Sequence, residues 1–153
     1  MAARLPRLST WAALAAPVFF LLAAGDLALR SREALRLAER QEYWREHPAE
    51  KAAYFEADYR AKAAAVEKAA AEGRLDAPEA RTSLSALAAE RDLQVSESSA
   101  KMACVWYRTA AEKFPAPFNP WAARARERLP AALAAWQAEL AAAGVKAEPW
   151  MLR

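Results

Sequence analysis

The chain has 153 residues, enough for one small domain and one additional segment. Its single cysteine, Cys104, excludes an internal disulfide bond and is compatible with either redox compartment. The formal net charge is +3, and basic and acidic residues are interleaved, which argues against a nucleic-acid-binding surface. Three glycines, few β-branched residues and abundant Ala, Glu, Arg and Leu predict an all-α protein.

The first predicted element is a membrane helix. Residues 1–10 form a basic tail that contains Arg4 and Arg7, and residues 11–29 read WAALAAPVFFLLAAGDLAL, with Asp26 as the only charge. About 20 apolar residues in a helix cross a hydrocarbon core of about 30 Å. Asp26 lies near one end of the run, where its carboxylate can reach the headgroups. The run therefore predicts a single-pass transmembrane helix.

Two other interpretations of this run are open. Arg4 and Arg7 resemble the basic leader of a secretory signal, and residues 23–25 are small, as at a cleavage site. The run could also be a buried helix of a soluble protein. An uncleaved anchor is preferred because the helical pattern continues beyond Gly25 without a turn signal. The basic leader favours an exported, periplasmic domain, whereas the count of Arg and Lys on each side slightly favours a cytoplasmic one. The arguments nearly balance, and we favour export.

Residues 30–73 are predicted to form an extended helix followed by a helical hairpin or stalk. The first helix should continue to Arg45 and stop at His47, because a residue before proline resists the helical conformation. A second helix should run from Pro48 to about Glu72, and Gly73 should end it. Its apolar stripe has helical spacing. The stripe consists of Phe55, Tyr59, Ala63, Val66 and Ala70.

Residues 74–144 are predicted to form a small helical domain. Asp76 and Glu79 have the spacing of a capping box at the start of a third helix, which should fade near Asp92. A fourth helix should follow caps at residues 96–99 and run to about Phe114. Its middle, residues 102–107, is uncharged on every side and should need cover on every side.

The last helix is predicted to begin at Asn119 and Pro120, which suit an N-cap and a first helical position. The helical spacing of its apolar residues continues in register across Pro130, so one kinked helix is expected rather than two separate ones. Gly144 should close it, and residues 145–153 form an apolar C-terminal tail. The expected inward stripe is Trp121, Ala125, Leu129, Leu133, Trp136 and Leu140.

Aromatic residues are concentrated in the last third of the chain, and two interpretations of them are open. They form either the core between the last two long helices or a docking surface for a partner or a membrane. Two arginines one turn apart are either a solvated face or a contact for lipid headgroups or an acidic partner. Asp26 is either a border residue or a polar contact to another membrane helix. The candidate partner-binding residues are Asp26, Trp106, Tyr107, Phe118, Trp121, Arg124, Arg128, Trp136 and Trp150.

The sequence contains no recognisable catalytic or cofactor site. His47 is the only histidine, and neither C-x-x-C-H nor clustered Cys and His residues occur, which disfavours covalent haem and structural zinc. Cys104 lies in the most apolar helix, where a thiol is usually inert. The carboxylates lie beside Lys or Arg on charged faces rather than in an apolar pocket. We therefore expect no enzyme activity, no cofactor and no metal.

These features predict a non-catalytic, membrane-anchored accessory or scaffolding subunit of a larger membrane protein complex. Its partners would be other subunits and the lipid bilayer, and it would dock through its aromatic C-terminal third. The alternative is an exported, periplasmic helical domain that binds a hydrophobic ligand or pigment after its signal peptide is cleaved.

Overall fold

A computed structural model of the chain describes residues 8–114 and 117–146, with side chains from residue 15 onward. Every regular element in these ranges is a helix, as predicted. The helices are α1 (Leu8–Glu46), α2 (Pro48–Ala71), α3 (Ala77–Ser96), α4 (Ser99–Arg108) and α5 (Pro120–Ala142). A π-helical turn, Thr109–Lys113, extends α4. Four helices thus follow the first one, as expected.

Local sequence signals set several helix ends. The predicted capping box at α3 is present, because Glu79 N donates to Asp76 Oδ1 at 2.7 Å and Asp76 N donates to Glu79 Oε2 at 3.1 Å. Asn119 Oδ1 accepts hydrogen bonds from the first amides of α5. Gly73 and Gly144 adopt positive φ after α2 and α5. Pro130 lies inside α5, which continues through it as one helix.

The boundary between α3 and α4 differs from the prediction. α3 continues past Asp92 to Ser96, and Ser98 then caps α4 by accepting a hydrogen bond from Lys101 N at 3.0 Å. The helix continues beyond Asp92 because Leu93 and Gln94 favour a helix and neither glycine nor proline interrupts residues 93–96. Before this extension, Arg91 Nη1 lies 3.2 Å from Glu56 Oε2 on α2.

The second half of α1 forms a three-helix bundle with α4 and α5. α4 runs antiparallel to both neighbours: Ser98 at its start bonds Glu139 near the end of α5, and Ala110 beyond its end accepts a bond from Ser31 of α1. Small side chains allow the helices to approach closely. The core consists of Ala34, Leu35, Ala38, Ala100, Ala103, Cys104, Tyr107, Ala110, Ala111, Ala125, Ala132 and Trp136.

The fourth helix is less enclosed than its uncharged middle predicted. Ala103, Cys104 and Tyr107 are buried, but Val105 is exposed and Trp106 is only half-buried. The expectation that residues 102–107 are covered on every side is therefore wrong. α4 contacts α1 on one side and α5 on another, which leaves a third side open.

α2 and α3 form a hairpin beside the bundle. α2 packs against α3 rather than against α1, and the buried alanines Ala63, Ala69 and Ala80 lie in this hairpin. Lys62 Nζ lies 3.5 Å from Glu90 Oε1 and adds an ion pair between the two helices. α1 and α2 touch mainly where they meet, so the two helices of residues 30–73 do not form a hairpin with each other, and α2 pairs with α3 instead.

The connection between hairpin and bundle is aromatic and charged. The ring of Trp44, near the end of α1, lies 5.3 Å from the ring of Phe55 on α2 and 5.1 Å from that of Tyr54. Lys51 Nζ donates a hydrogen bond to the carbonyl oxygen of Glu97, between α3 and α4. These contacts hold the hairpin at the end of the bundle where α4 begins.

α1 passes without a break from Leu8 through the apolar run into the bundle, with Pro17 inside it. Among residues 15–114 and 117–146, the part of the chain whose side chains the structure describes, no helix combines the length and the mean hydropathy expected of a membrane span. The helix predicted for residues 11–29 is present, but its transmembrane character is not supported. From residue 15 onward, where the side chains are described, the charged residues Asp26, Arg30 and Arg32 limit the length of the apolar stretch.

Candidate interaction surface

The first half of α1 is an apolar helix that no other described element covers. Its large side chains are between 55% and 73% exposed, and they occupy five consecutive positions. These residues are Val18, Phe19, Phe20, Leu21 and Leu22. At 3.6 residues per turn, five consecutive side chains point in every direction around the axis. The apolar surface is therefore a collar rather than one face, and exposed apolar patches are typical of interaction sites.

The collar ends where the bundle begins. Residues 23, 24, 27 and 28 are half-buried, and Ser31 is fully buried, with its hydroxyl donating to the carbonyl oxygen of Ala110 at 2.9 Å. From Leu22 to Ser31 the helix rises about 14 Å. Within about three turns, α1 therefore changes from a helix packed in the core to an apolar helix that no other described element covers.

Asp26 lies on this boundary and has a partner on its own helix. Its Oδ2 atom lies 2.8 Å from Nε of Arg30, and both side chains are exposed. The carboxylate is thus neutralised by an i,i+4 ion pair, which is worth about 0.2–0.5 kcal/mol in water. A contact with a second membrane helix, as the sequence suggested, stays a prediction.

Two of the candidate aromatic residues belong to the core. Trp136 is buried, and Tyr107 is fully buried, with its hydroxyl donating to Glu42 Oε2 at 2.7 Å. Burial raises the pKa of Tyr107 well above its usual value, and the hydrogen bond and negative charge of Glu42 raise it further. Both side chains therefore stabilise the bundle and are not accessible to a partner in this structure.

A second set of aromatic residues lies at the end of the bundle from which the collar emerges. Trp121, in the first turn of α5, is half-buried, and the guanidinium carbon of Arg32 lies 5.9 Å from its ring centroid. Phe118, just before α5, is completely exposed and has a φ of +56°. Trp106 is half-buried against the core. Trp150 lies outside the described residues.

The two candidate arginines of α5 face α1 and the solvent. Arg124 Nη2 lies 2.8 Å from Glu39 Oε1 of α1, so this side chain connects two helices of the bundle. Arg128 is exposed and lines an open groove with glutamates of α1. The groove is lined by Glu39, Glu42, Tyr43, Arg45, Glu46, Arg128 and Ala131.

Within the described ranges, no three His, Cys, Asp or Glu side chains come together in a geometry that could hold a metal ion. The ring of His47 is exposed and stacks on Tyr43 at 4.1 Å between centroids. Cys104 is buried, and burial raises the pKa of its thiol, which disfavours the reactive thiolate. Neither side chain is held in the arrangement that nucleophilic catalysis requires.

Sequence reasoning missed Lys51, a buried cation where the hairpin meets the bundle. Its side chain is 5% exposed, and burial lowers the pKa of its amine despite the nearby charges of Glu97 and Glu139. A signal was available, since Lys51 continues the stripe of Phe55 and Tyr59 at steps of four. Phe118 was identified as a candidate, but its exposure depends on a turn that the sequence alone does not define.

Comparisons with known proteins give no match to a family model, to a curated protein or to a solved structure. Any functional proposal therefore depends on the geometry and chemistry of the described residues.

Proposed function

We propose that this chain is a non-catalytic, membrane-anchored accessory subunit of a larger membrane protein complex. The single observation that carries the proposal is the apolar collar of residues 18–22, which no other described element covers. Complete burial of a large apolar side chain contributes about 1.5–3 kcal/mol relative to exposure. Covering the collar is therefore strongly favourable.

The distribution of apolar side chains around the axis favours a bilayer as the cover. A groove on a soluble partner usually receives one face of a helix, recognised as positions i, i+3, i+4 and i+7. Lipid surrounds a helix on all sides, and residues 18–22 are apolar and exposed on all sides. The 19 residues from 11 to 29 rise about 28 Å as a helix, which approaches the hydrocarbon thickness of about 30 Å.

The small residues and the proline of this segment favour a complex over a solitary anchor. Ala supplies much of the run, Pro17 removes one backbone donor, and the space around the Cα of Gly25 is open. Small residues allow membrane helices to approach one another closely. Packing beside helices of other subunits would stabilise a segment that lipid alone stabilises only weakly, and it would give Asp26 a polar environment.

The helical domain would then serve as the scaffold outside the bilayer, with the exported side favoured by the basic tail. Its accessible aromatic and cationic side chains offer contacts to neighbouring subunits, while Tyr107 and Trp136 hold the bundle together. The accessible candidates are Trp106, Phe118, Trp121, Arg124 and Arg128.

A charge placed in the collar tests membrane anchoring. Leu22→Arg should move the full-length chain from the membrane fraction to the soluble fraction, because an arginine at the centre of a membrane helix costs about 2.5–3.5 kcal/mol, or roughly a hundredfold in partitioning. Leu93→Arg is the matched control, since Leu93 is equally exposed (66%) on α3. It should leave the distribution unchanged.

Native membranes solubilised in mild detergent test the complex. The tagged chain should migrate with partners in stoichiometric amounts on a native gel, and carbonate washing should not release it from membranes. A chain that is soluble without any substitution would overturn the anchoring proposal. A chain that is membrane-bound but monomeric and without partners would overturn the subunit proposal.

A further inference from the structure

We propose that the connection into α5, residues 117–119, is a second, interfacial membrane contact, in which Phe118 enters the boundary between lipid headgroups and acyl chains. This inference rests on the proposed anchoring of α1 and deepens it, because it names a lipid surface as the ligand of the bundle end. The connection would fix how close the bundle sits to the bilayer.

Two contacts place this connection beside the base of the collar. Ser31 of α1 bonds the carbonyl oxygen of Ala110 in the π-helical turn, and Arg32 lies against Trp121 in the first turn of α5. Ala110 and Trp121, on either side of this connection, therefore lie at the end of the bundle from which the first half of α1 projects. A bilayer that surrounds the collar would lie against this end.

Phe118 has the exposure and backbone geometry of an inserting side chain. Its side chain is 101% exposed, so it makes no packing contribution to the described fold. Its φ of +56° lies in the left-handed region, which is an outlier for a bulky residue. Asn119 caps α5 immediately afterwards, so the residue is held at the start of a rigid helix. Folding alone offers no stabilisation for a phenyl ring at this position.

The other described side chains at this end of the bundle have the chemistry of a membrane interface. Trp121 combines an apolar ring with a polar N–H group, as in the aromatic belts of membrane proteins. Arg32 is exposed over that ring, where its cation can attract phosphate headgroups. Arg30 lies at the same level of α1, paired with Asp26. An apolar tip at the same end of the bundle as a belt residue and cations fits a phospholipid surface better than an apolar protein groove.

Site-specific fluorescence in vesicles tests the inference on the full chain. Phe118→Cys is introduced, labelled with an environment-sensitive fluorophore and reconstituted into vesicles of phosphatidylcholine and phosphatidylglycerol. Cys104, the only native cysteine, is buried, and the unsubstituted chain measures its background labelling. Leu22→Cys reports on the collar. Ala138→Cys, about 27 Å further along α5 than Pro120, reports on the far end of the bundle.

The label at position 118 should shift to the blue on reconstitution and should be quenched by lipids that carry a quencher near the headgroup. The label at position 22 should be quenched by lipids that carry it deep in the acyl chain, and the label at position 138 by neither. Phe118→Ser, at a fully exposed site, should fold like the unsubstituted chain by circular dichroism, which verifies that the substitution itself is harmless.

The outcomes separate the inference from the proposed function. If the label at position 22 is quenched but the label at position 118 behaves like that at position 138, the interfacial contact is wrong and the anchor stands. If the label at position 22 is not quenched by any lipid, the proposed anchoring fails and the inference fails with it. Quenching at both positions, each at its own depth, supports both.

Discussion

The two halves of α1 have the same backbone conformation and opposite surroundings. In the first half, residues 15–22 are all exposed, and most of them are apolar. In the second half, Ser31, Ala34, Leu35 and Ala38 are buried against α4 and α5, and charged residues lie between them. The second half has the spacing of a helix with one buried stripe. The contrast indicates that the pattern of apolar and charged residues, rather than the helical backbone, reflects which environment each half of α1 occupies.

The stability of the two halves must also differ in origin. The second half gains free energy from tertiary packing, which supplies most of the stability of helices in proteins. The first half has only its backbone hydrogen bonds and the propensity of its alanines until something covers it. Paired substitutions in the two halves measure this difference, and the largest effect is expected at a large core residue.

Leu35→Ala should lower the free energy of unfolding by about 2–5 kcal/mol, because it leaves a cavity in the core. Leu21→Ala, the same substitution on the collar, should change it by less than about 0.5 kcal/mol. Urea unfolding followed by circular dichroism in mild detergent measures both. Equal losses at the two positions would show that the collar is packed within the protein.

Ala38→Leu reverses the test by adding volume. Ala38 is fully buried, so the larger side chain should overpack the contact with α4 and cost about 1–3 kcal/mol. Ala16→Leu, at an exposed position, should not destabilise the fold and should strengthen membrane partitioning through added apolar surface. If Ala38→Leu were neutral, the close packing of α1 on the bundle would be refuted.

Tyr107→Phe should cost about 1–2 kcal/mol at neutral pH, because it removes a hydrogen bond to the charged carboxylate of Glu42. Tyr54→Phe is the control for loss of a hydroxyl group, since Tyr54 is exposed and lies on the hairpin. Its effect should stay within about 0.5 kcal/mol. A similar loss of stability for both variants would mean that the hydrogen bond between Tyr107 and Glu42 does not contribute specifically to the free energy of unfolding.

The pH dependence of Tyr107→Phe has a definite sign. The pKa of Tyr107 is raised in the folded chain above its unfolded value of about 10. Above pH 10 the unfolded chain therefore releases a proton that the folded chain keeps, and this group's contribution to stability falls as pH rises. Between pH 9 and about 11, the free energy of unfolding should fall less steeply with pH for the variant than for the unsubstituted chain. Equal slopes for the two proteins would contradict the burial of this hydroxyl group.

Asp26→Asn should have the smallest effect on the isolated chain, about 0.2–0.5 kcal/mol, because it removes only an exposed ion pair with Arg30. Asp58→Asn is the matched control, since Asp58 forms a comparable i,i+4 pair with Lys62 at 2.8 Å. In native membranes, however, Asp26→Asn should reduce co-purification with partners while Asp58→Asn does not. Equal behaviour of the two variants in membranes would remove Asp26 from the proposed interface.

The features that the sequence predicted correctly are local. Asp76 with Glu79 and Asn119 with Pro120 define helix starts within a few residues, so short patterns identify them. The apolar stripes of α2 and α5 also follow from spacing alone. These signals were sufficient for the all-α fold and for the bounds of α2 and α5.

The features that the sequence did not predict depend on which helices meet. The pairing of α2 with α3, the burial of Lys51 and the bond between Tyr107 and Glu42 join residues far apart in the chain. Several of the candidate site residues have the same ambiguity, because an aromatic residue at helical spacing suits a core and a surface equally well. Only the arrangement of neighbours separates buried Trp136 from fully exposed Phe118.

The uninterrupted course of α1 has a mechanical consequence. Its 39 residues form a rod about 58 Å long, and Pro17 is the only proline within it. From Pro17 onward no break separates the collar from the residues that pack on α4. Because one helix joins the collar to the core, a force that tilts the collar would also act on the residues that pack on α4.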